Sequence, residues 1–139
     1  MNRFHHYLLK IYNIHKKLNL GYFQKLGLSQ GQPKLLEILL YNDGCPQKEL
    51  ASACELQPAT ISSLLKKMEK DELVRRIPET QNNGTHIVRI FLTPNGKELA
   101  QNVLESVSSA ENLCFKGFSA EEKETCLSYL NRIYNNLKE

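Results

Sequence analysis

Gln47-Lys48-Glu49-Leu50-Ala51 and Gln57-Pro58-Ala59-Thr60-Ile61-Ser62, followed by Leu73-Val74-Arg75-Arg76 and Leu92-Thr93-Pro94-Asn95-Gly96, make up the stretch that decides the fold of this 139-residue chain. The first two segments open short helices joined by a tight turn. Leu50 and Ala51 face inward from the first, and Leu56 sits in the turn. Ile61, Leu64, Leu65 and Met68 recur at steps of three and four, so they form the buried side of the second helix. Pro58 suits a first helical turn, where its missing N–H costs nothing. Two extended runs follow, 74–78 and 86–92. In the second, Val88, Ile90 and Leu92 alternate with Ile87, Arg89 and Phe91. Asn83-Gly84 between the runs is a strong turn signal, and the polar loop 79–85 is long enough to project. The order predicts a mainly α fold with a small β-hairpin wing: a winged helix-turn-helix, whose second helix is shaped for the DNA major groove.

Outward from this stretch the chain reads as further helices. On the N-terminal side Phe4, Tyr7, Leu8, Ile11, Ile14 and Leu18 have helical spacing, ending near Gly21 or Gly27. Ser29 can cap the next helix with Gln32 as its reciprocal partner. Leu35, Leu36, Ile38, Leu39 and Leu40 give that helix a broad apolar face, and Asn42-Asp43-Gly44 stops it. On the C-terminal side Thr93 can cap a long helix carrying Leu99, Val103, Val107, Ala110 and Cys114 to a stop at Gly117. Ser119-Ala120-Glu121-Glu122 is a capping box for a last helix lined by Leu127, Leu130, Ile133, Tyr134 and Leu137. One helix before the reading module and two after it carry apolar stripes that the module does not need. Such helices are unstable alone in water. Packing against a second copy is the natural outlet, and a symmetric homodimer presents two reading helices to a pseudo-palindromic site.

Composition bounds the alternatives. The length fits one domain, 1–139, with residues 30–96 as the DNA-binding region and 1–28 and 97–139 as a helical dimerisation region. Hydrophobic content is 41%, with no apolar run long enough to span a membrane. Met1-Asn2-Arg3-Phe4-His5-His6 lacks the apolar core of a signal peptide, so a cytoplasmic location is expected. Net charge is +3, so a case for DNA rests on where the cations sit. Cys45, Cys54, Cys114 and Cys126 show no C-x-x-C pair and read as reduced packing groups. No Ser-His-Asp order, Gly-rich phosphate loop or paired-carboxylate motif points to an enzyme. His5, His6 and His15 share the first helix, but no second ligand pair completes a tetrahedral metal site. No cofactor is implied.

These segments, with Leu64-Leu65-Lys66-Lys67-Met68-Glu69-Lys70, resemble the MarR family of bacterial transcription regulators over nearly the whole chain. The resemblance implies a triangular homodimer, with Pro58–Lys70 as recognition helix and the 79–85 loop as wing. It implies a repressor released from double-stranded DNA when a small aromatic or anionic effector binds between the two regions. Four positions depart from the family pattern. Glu55 and Glu72 stand where Gly is usual; at Glu55 a positive φ would cost about 1 kcal/mol. Ser63 replaces a common basic reader. The tip Gln81-Asn82-Asn83-Gly84 lacks the usual Asp-Arg pair. The family's peroxide-sensing branch carries its cysteine in the first helix, where this chain has none.

Candidate DNA contacts follow from residue chemistry. Thr60, Ser62 and Ser63, beside Ala59 near a helix N-terminus, can bond phosphates or base edges. Gln57 can read adenine, and Asn82 and Asn83 can reach minor-groove acceptors. Lys66, Lys67, Arg75 and Arg76 can neutralise phosphates, each adding roughly 0.9 to the slope of log affinity against log salt. The bland alternative makes the lysines a solvated face and pairs Arg75 with Glu72. Tyr7, Tyr12, His15, Lys16, Leu35, Leu39 and Tyr41 are candidates for an effector cavity, or else ordinary dimer packing. Two other functions stay open: a partner-regulated interaction module with weakened DNA binding, and a thiol sensor using Cys45 or Cys54.

Overall fold

The computed structural model describes residues 3–138. Its elements run α1 (Phe4–Lys25), α2 (Gln32–Tyr41), α3 (Gln47–Ala53), α4 (Pro58–Lys70), β1 (Val74–Thr80), β2 (His86–Leu92), α5 (Pro94–Cys114) and α6 (Ala120–Leu137). They fall into two compact units, Met1–Val107 and Ser108–Glu139. Among the described residues no helix is long and apolar enough to cross a membrane.

The first unit is organised around one apolar core. Leu35, Leu36 and Leu39 of α2, Leu50 of α3, Ile61, Leu65 and Met68 of α4, Ile90 of β2 and Val103 of α5 are all buried in it. Each such side chain contributes about 1.5–3 kcal/mol by leaving water. Phe23 and Leu26, at the end of α1, pack against this core. The rest of α1 does not: no residue of the helix is fully buried, and Phe4, Leu8, Ile11 and Ile14 stay exposed, Ile14 at 71%.

Three helices end in the same way. After α1 the Leu28 N–H donates to Phe23 O and Gly27 N–H to Gln24 O, with Gly27 at φ +75°. After α3 Leu56 donates to Ala51 O and Glu55 to Ser52 O; after α4 Leu73 donates to Met68 O and Glu72 to Glu69 O. These are Schellman caps, which require a left-handed residue just past the helix. Glu55 (φ +55°) and Glu72 (φ +61°) fill that place without glycine's freedom. Glu55 thus takes the strained backbone expected of it, and Glu72 takes the same one. The α1 helix continues through Gly21 and stops before Gly27.

β1 and β2 pair antiparallel, from Val74 opposite Leu92 to Thr80 opposite His86. Val74, Arg76, Ile90 and Leu92 share the face toward the core, and Arg75, Ile77, Arg89 and Phe91 the other. β2 has its expected limits, whereas β1 runs further out than expected, so Glu79 and Thr80 belong to β1 rather than to the loop. The turn is three residues, Asn82-Asn83-Gly84, with Gln81 N–H on Thr85 O at 2.8 Å and Gly84 at φ +84°. Residues 44–46 add a short third rung that the hydrophobic pattern did not reveal. Gly44 N–H donates to Ile90 O, Ile90 N–H to Cys45 O, and Pro46 bridges Arg89.

Thr93 caps α5 as expected: its Oγ1 accepts from Gly96 N–H at 3.0 Å and donates to Glu72 O at 2.6 Å. A side chain on Gly96 would overlap the Leu73 carbonyl. Ser29 does not cap α2. Its N–H donates to Gln32 Oε1 at 2.9 Å, but Gly31 at φ +91° is the residue that precedes the helix. A left-handed turn between them displaces the start by two residues.

The second unit holds the end of α5 and all of α6. The capping box forms in full, with Glu122 N–H on Ser119 Oγ and Ser119 N–H on Glu122 Oε2. Lys123 pairs with Glu111 at 3.2 Å. No residue of α6 is buried, and Leu127, Leu130, Tyr134 and Leu137 remain exposed, Leu137 at 75%.

Candidate nucleic-acid interface

The α4 helix presents two unlike sides because its apolar residues recur at 61, 65 and 68. The opposite side carries Ala59, Thr60, Ser63, Lys66, Lys67 and Lys70, all exposed; Ser62 is half-buried. Gln57 precedes the helix with no side-chain cap bond, and Pro58 opens it. The exposed Gln57 amide is therefore not spent on the helix end. The Ala59 and Thr60 N–H groups lie in the first turn, before the helical ladder begins at Ile61, which donates to Gln57 O. Unspent first-turn N–H groups and the helix dipole together favour phosphate. Lys66 and Lys67 have no ion-pair partner among the described residues.

The hairpin arginines differ from one another. Arg75 is exposed, and among the described residues no acid pairs with it; the Arg75–Glu72 pair is not formed. Arg76 binds Glu69 instead, Nη2 to Oε1 at 3.1 Å and Nε to Oε1 at 3.4 Å, while its backbone N–H donates to Oε2 at 3.3 Å. The Arg76 side-chain bond, reinforced by its backbone N–H and charge, holds the Glu69 carboxyl below the usual carboxylate range. Arg89 donates Nε to Glu79 Oε2 at 2.8 Å and Nη1 to Gly44 O at 3.1 Å. At the tip Asn82 and Asn83 are exposed, and Asn83 Oδ1 accepts from Thr85 N–H at 3.0 Å.

A cleft of about 360 Å³ lies between α1 and the start of α2. It brings together Tyr12, His15 and Lys16 with Asn19, Phe23 and Lys34. Lys16 Nζ stands 5.8 Å from the centre of the Tyr12 ring. Leu39 and Tyr41 do not join them: Leu39 is sealed in the core, and Tyr41 is exposed at the far end of α2. Tyr7 and Leu35 also lie outside the cleft. Asn19 was overlooked, although 12, 15, 16 and 19 are one helical face; Lys34, from another element, had no such signal.

Cys45 is buried and Cys54 half-buried. Burial pushes both thiols up, helped at Cys45 by Glu49 and Asp43 and opposed at Cys54 by Lys34. His5 and His6 stack with ring centres 4.2 Å apart, and the described residues contain no group of three or more potential ligands able to hold a metal.

The MarR family model matches residues 28–83, the span from the end of α1 to the wing tip. A MarR-family transcriptional regulator from Silicibacter pomeroyi superposes with TM-score 0.79 at 26% identity, over 97% of this chain and 90% of its own. Residues 28–83 carry the MarR-family pattern, and the fold around them is that of MarR-family regulators. The chain is a DNA-binding transcriptional regulator of the winged-helix type. A Bacillus subtilis relative, the uncharacterized HTH-type transcriptional regulator YybA, is 28% identical over 116 residues, 84% of this chain and 76% of YybA. In fold the chain also matches the MepR–DNA complex of S. aureus, with TM-score 0.83 at 22% identity, over 99% of this chain and 100% of MepR.

Proposed function

We propose that this chain works as a cytoplasmic homodimer that represses transcription from a pseudo-palindromic operator and is released by a small effector. The observation that carries the reading is the exposed flank of α4. Hydroxyls and unspent N–H groups at its start, then Lys66 and Lys67, face solvent opposite a fully packed apolar side. Gln57, Thr60, Ser62 and Ser63 approach base edges and phosphates, with Ala59 allowing close approach; Lys66, Lys67 and Arg75 neutralise phosphates; Asn82 and Asn83 meet the minor groove. Residues 30–96 form the DNA-binding region. Residues 1–28 and 97–139 form the dimerisation region, consistent with the exposed apolar stripes of α1 and α6. The cleft at Tyr12, His15 and Lys16, with an aromatic ring beside cationic groups, suits a small aromatic anion.

The test is a binding titration with palindromic duplexes across salt concentrations. Lys66→Ala and Lys67→Ala should each reduce the salt slope by roughly 0.9. Undetectable or salt-insensitive binding of the unaltered protein rejects the reading. The uncharged tip and the internal engagement of Arg76 and Arg89 favour a second reading, an interaction module with weakened DNA binding. Unchanged DNA affinity in the two lysine variants would select it. The raised thiols of Cys45 and Cys54 count against peroxide sensing, which needs an accessible thiolate.

A further inference from the structure

Arg76 is the third residue of β1, and Glu69 sits in the last turn of α4. Their contact closes over the bend at Glu72, where the backbone is left-handed. One carboxylate there accepts from three donors of one residue: Nε, Nη2 and the backbone N–H. The arginine side chain is only 25% exposed. Its neighbour Arg75 pairs across the hairpin with Phe91 while Arg76 pairs with Ile90, so the two side chains leave opposite faces of the ribbon. Only Arg76 is on the face that the α4 carboxylate reaches.

We propose that Arg76 is a positioning residue for DNA binding. With Glu69 it forms a brace that sets the wing against the recognition helix, and it makes no phosphate contact. This rests on the DNA-binding reading above. A guanidinium places two donors in a rigid fork, whereas a lysine ammonium is a point charge on a flexible stem. A phosphate contact tolerates either; this brace needs the fork.

The experiment measures affinity against salt concentration, using a duplex that the unaltered protein selects from a randomised pool. Arg76→Gln should weaken binding about fivefold, the upper end for a solvent-accessible ion pair, with the salt slope unchanged. Arg76→Lys should do no better than Arg76→Gln. Glu69→Gln should weaken binding by the same factor even though it removes an acid, and Arg76→Gln with Glu69→Gln should be no weaker than either alone. Unchanged affinity in Arg76→Gln, tighter binding in Glu69→Gln, or a slope loss of roughly 0.9 that Arg76→Lys restores would each overturn the brace. Lys66→Ala and Lys67→Ala are run alongside. If they alter neither affinity nor slope, or if no duplex is enriched, the DNA reading falls and takes the brace with it. A slope loss in Arg76→Gln together with the lysine variants removes the brace alone.

Discussion

Replacing Glu72 with glycine should stabilise the protein, and the size of the gain follows from three terms. A left-handed backbone costs an L-residue about 1–2 kcal/mol, and Glu72 holds φ +61°. Glycine gives back about 0.5–1 kcal/mol through the extra freedom of the unfolded chain. The carboxylate also sits one residue beyond the negative end of the α4 dipole, a further cost of about 0.3 kcal/mol. The side chain is exposed and, among the described residues, makes no hydrogen bond or ion pair whose loss must be counted. The net gain is about 1 kcal/mol. Glu55→Gly, at the matching place after α3, should gain about as much, and the two should add to within about 0.5 kcal/mol if the sites are independent. Urea unfolding at fixed protomer concentration is the assay, because association would otherwise shift the midpoint. The midpoint should rise with the slope unchanged. Glu72→Gln serves as the control, since it removes the charge and keeps the Cβ. If it gains as much as Glu72→Gly, or if the glycine destabilises, backbone strain is not the cause.

Gly96→Ala should cost about 2–3 kcal/mol in the same assay, since the added methyl would overlap the Leu73 carbonyl; a loss below about 0.5 kcal/mol would show that the joint of α5 with β1 yields. Leu130→Glu, on the exposed face of α6, should shift sedimentation toward a single protomer and weaken DNA binding; an unchanged dimer would remove α6 from the interface. Alkylation should reach exposed Cys114 before Cys45 or Cys54. The two raised thiols bind their protons more tightly in the folded state, so their contribution to stability is present below pH 9.0 and is lost as pH climbs through their folded values. A Cys45→Ala, Cys54→Ala double variant should lose less stability than the unaltered protein on going from pH 8 to about 10.

The helices and the hairpin were legible because their signals are local. Pro58 and Thr93-Pro94 mark starts, the steps 61-65-68 mark a buried side, and Ser119 with Glu122 marks a cap. What escaped depends on residues far apart in the chain. Asp43 Oδ1 accepts from Leu92 N–H at 2.8 Å, across 49 positions, and no periodicity announces it. Arg76 read as a phosphate contact because nothing in the sequence says which acid folding brings within 3 Å or so. Of the effector candidates, only those on one helical face line a common cleft. Tyr12, His15 and Lys16 lie within about one turn of α1, whereas the way α2 turns, which seals Leu39 in the core and leaves Tyr41 exposed, has no local signal. Ser29 failed as a cap because Gly31, free to go left-handed, offered a different entry to α2.

The short rung at 44–46 divides the hairpin into two mechanical regimes. Below Arg89 the ribbon is three chains wide and anchored to the packed interior; beyond Pro78 and Val88 it is two chains wide and open on both sides. A two-stranded ribbon has little stability of its own. If the wing meets the minor groove as proposed, the segment that must fit a wider or tighter groove is residues 78–88, the part of the ribbon without the third chain.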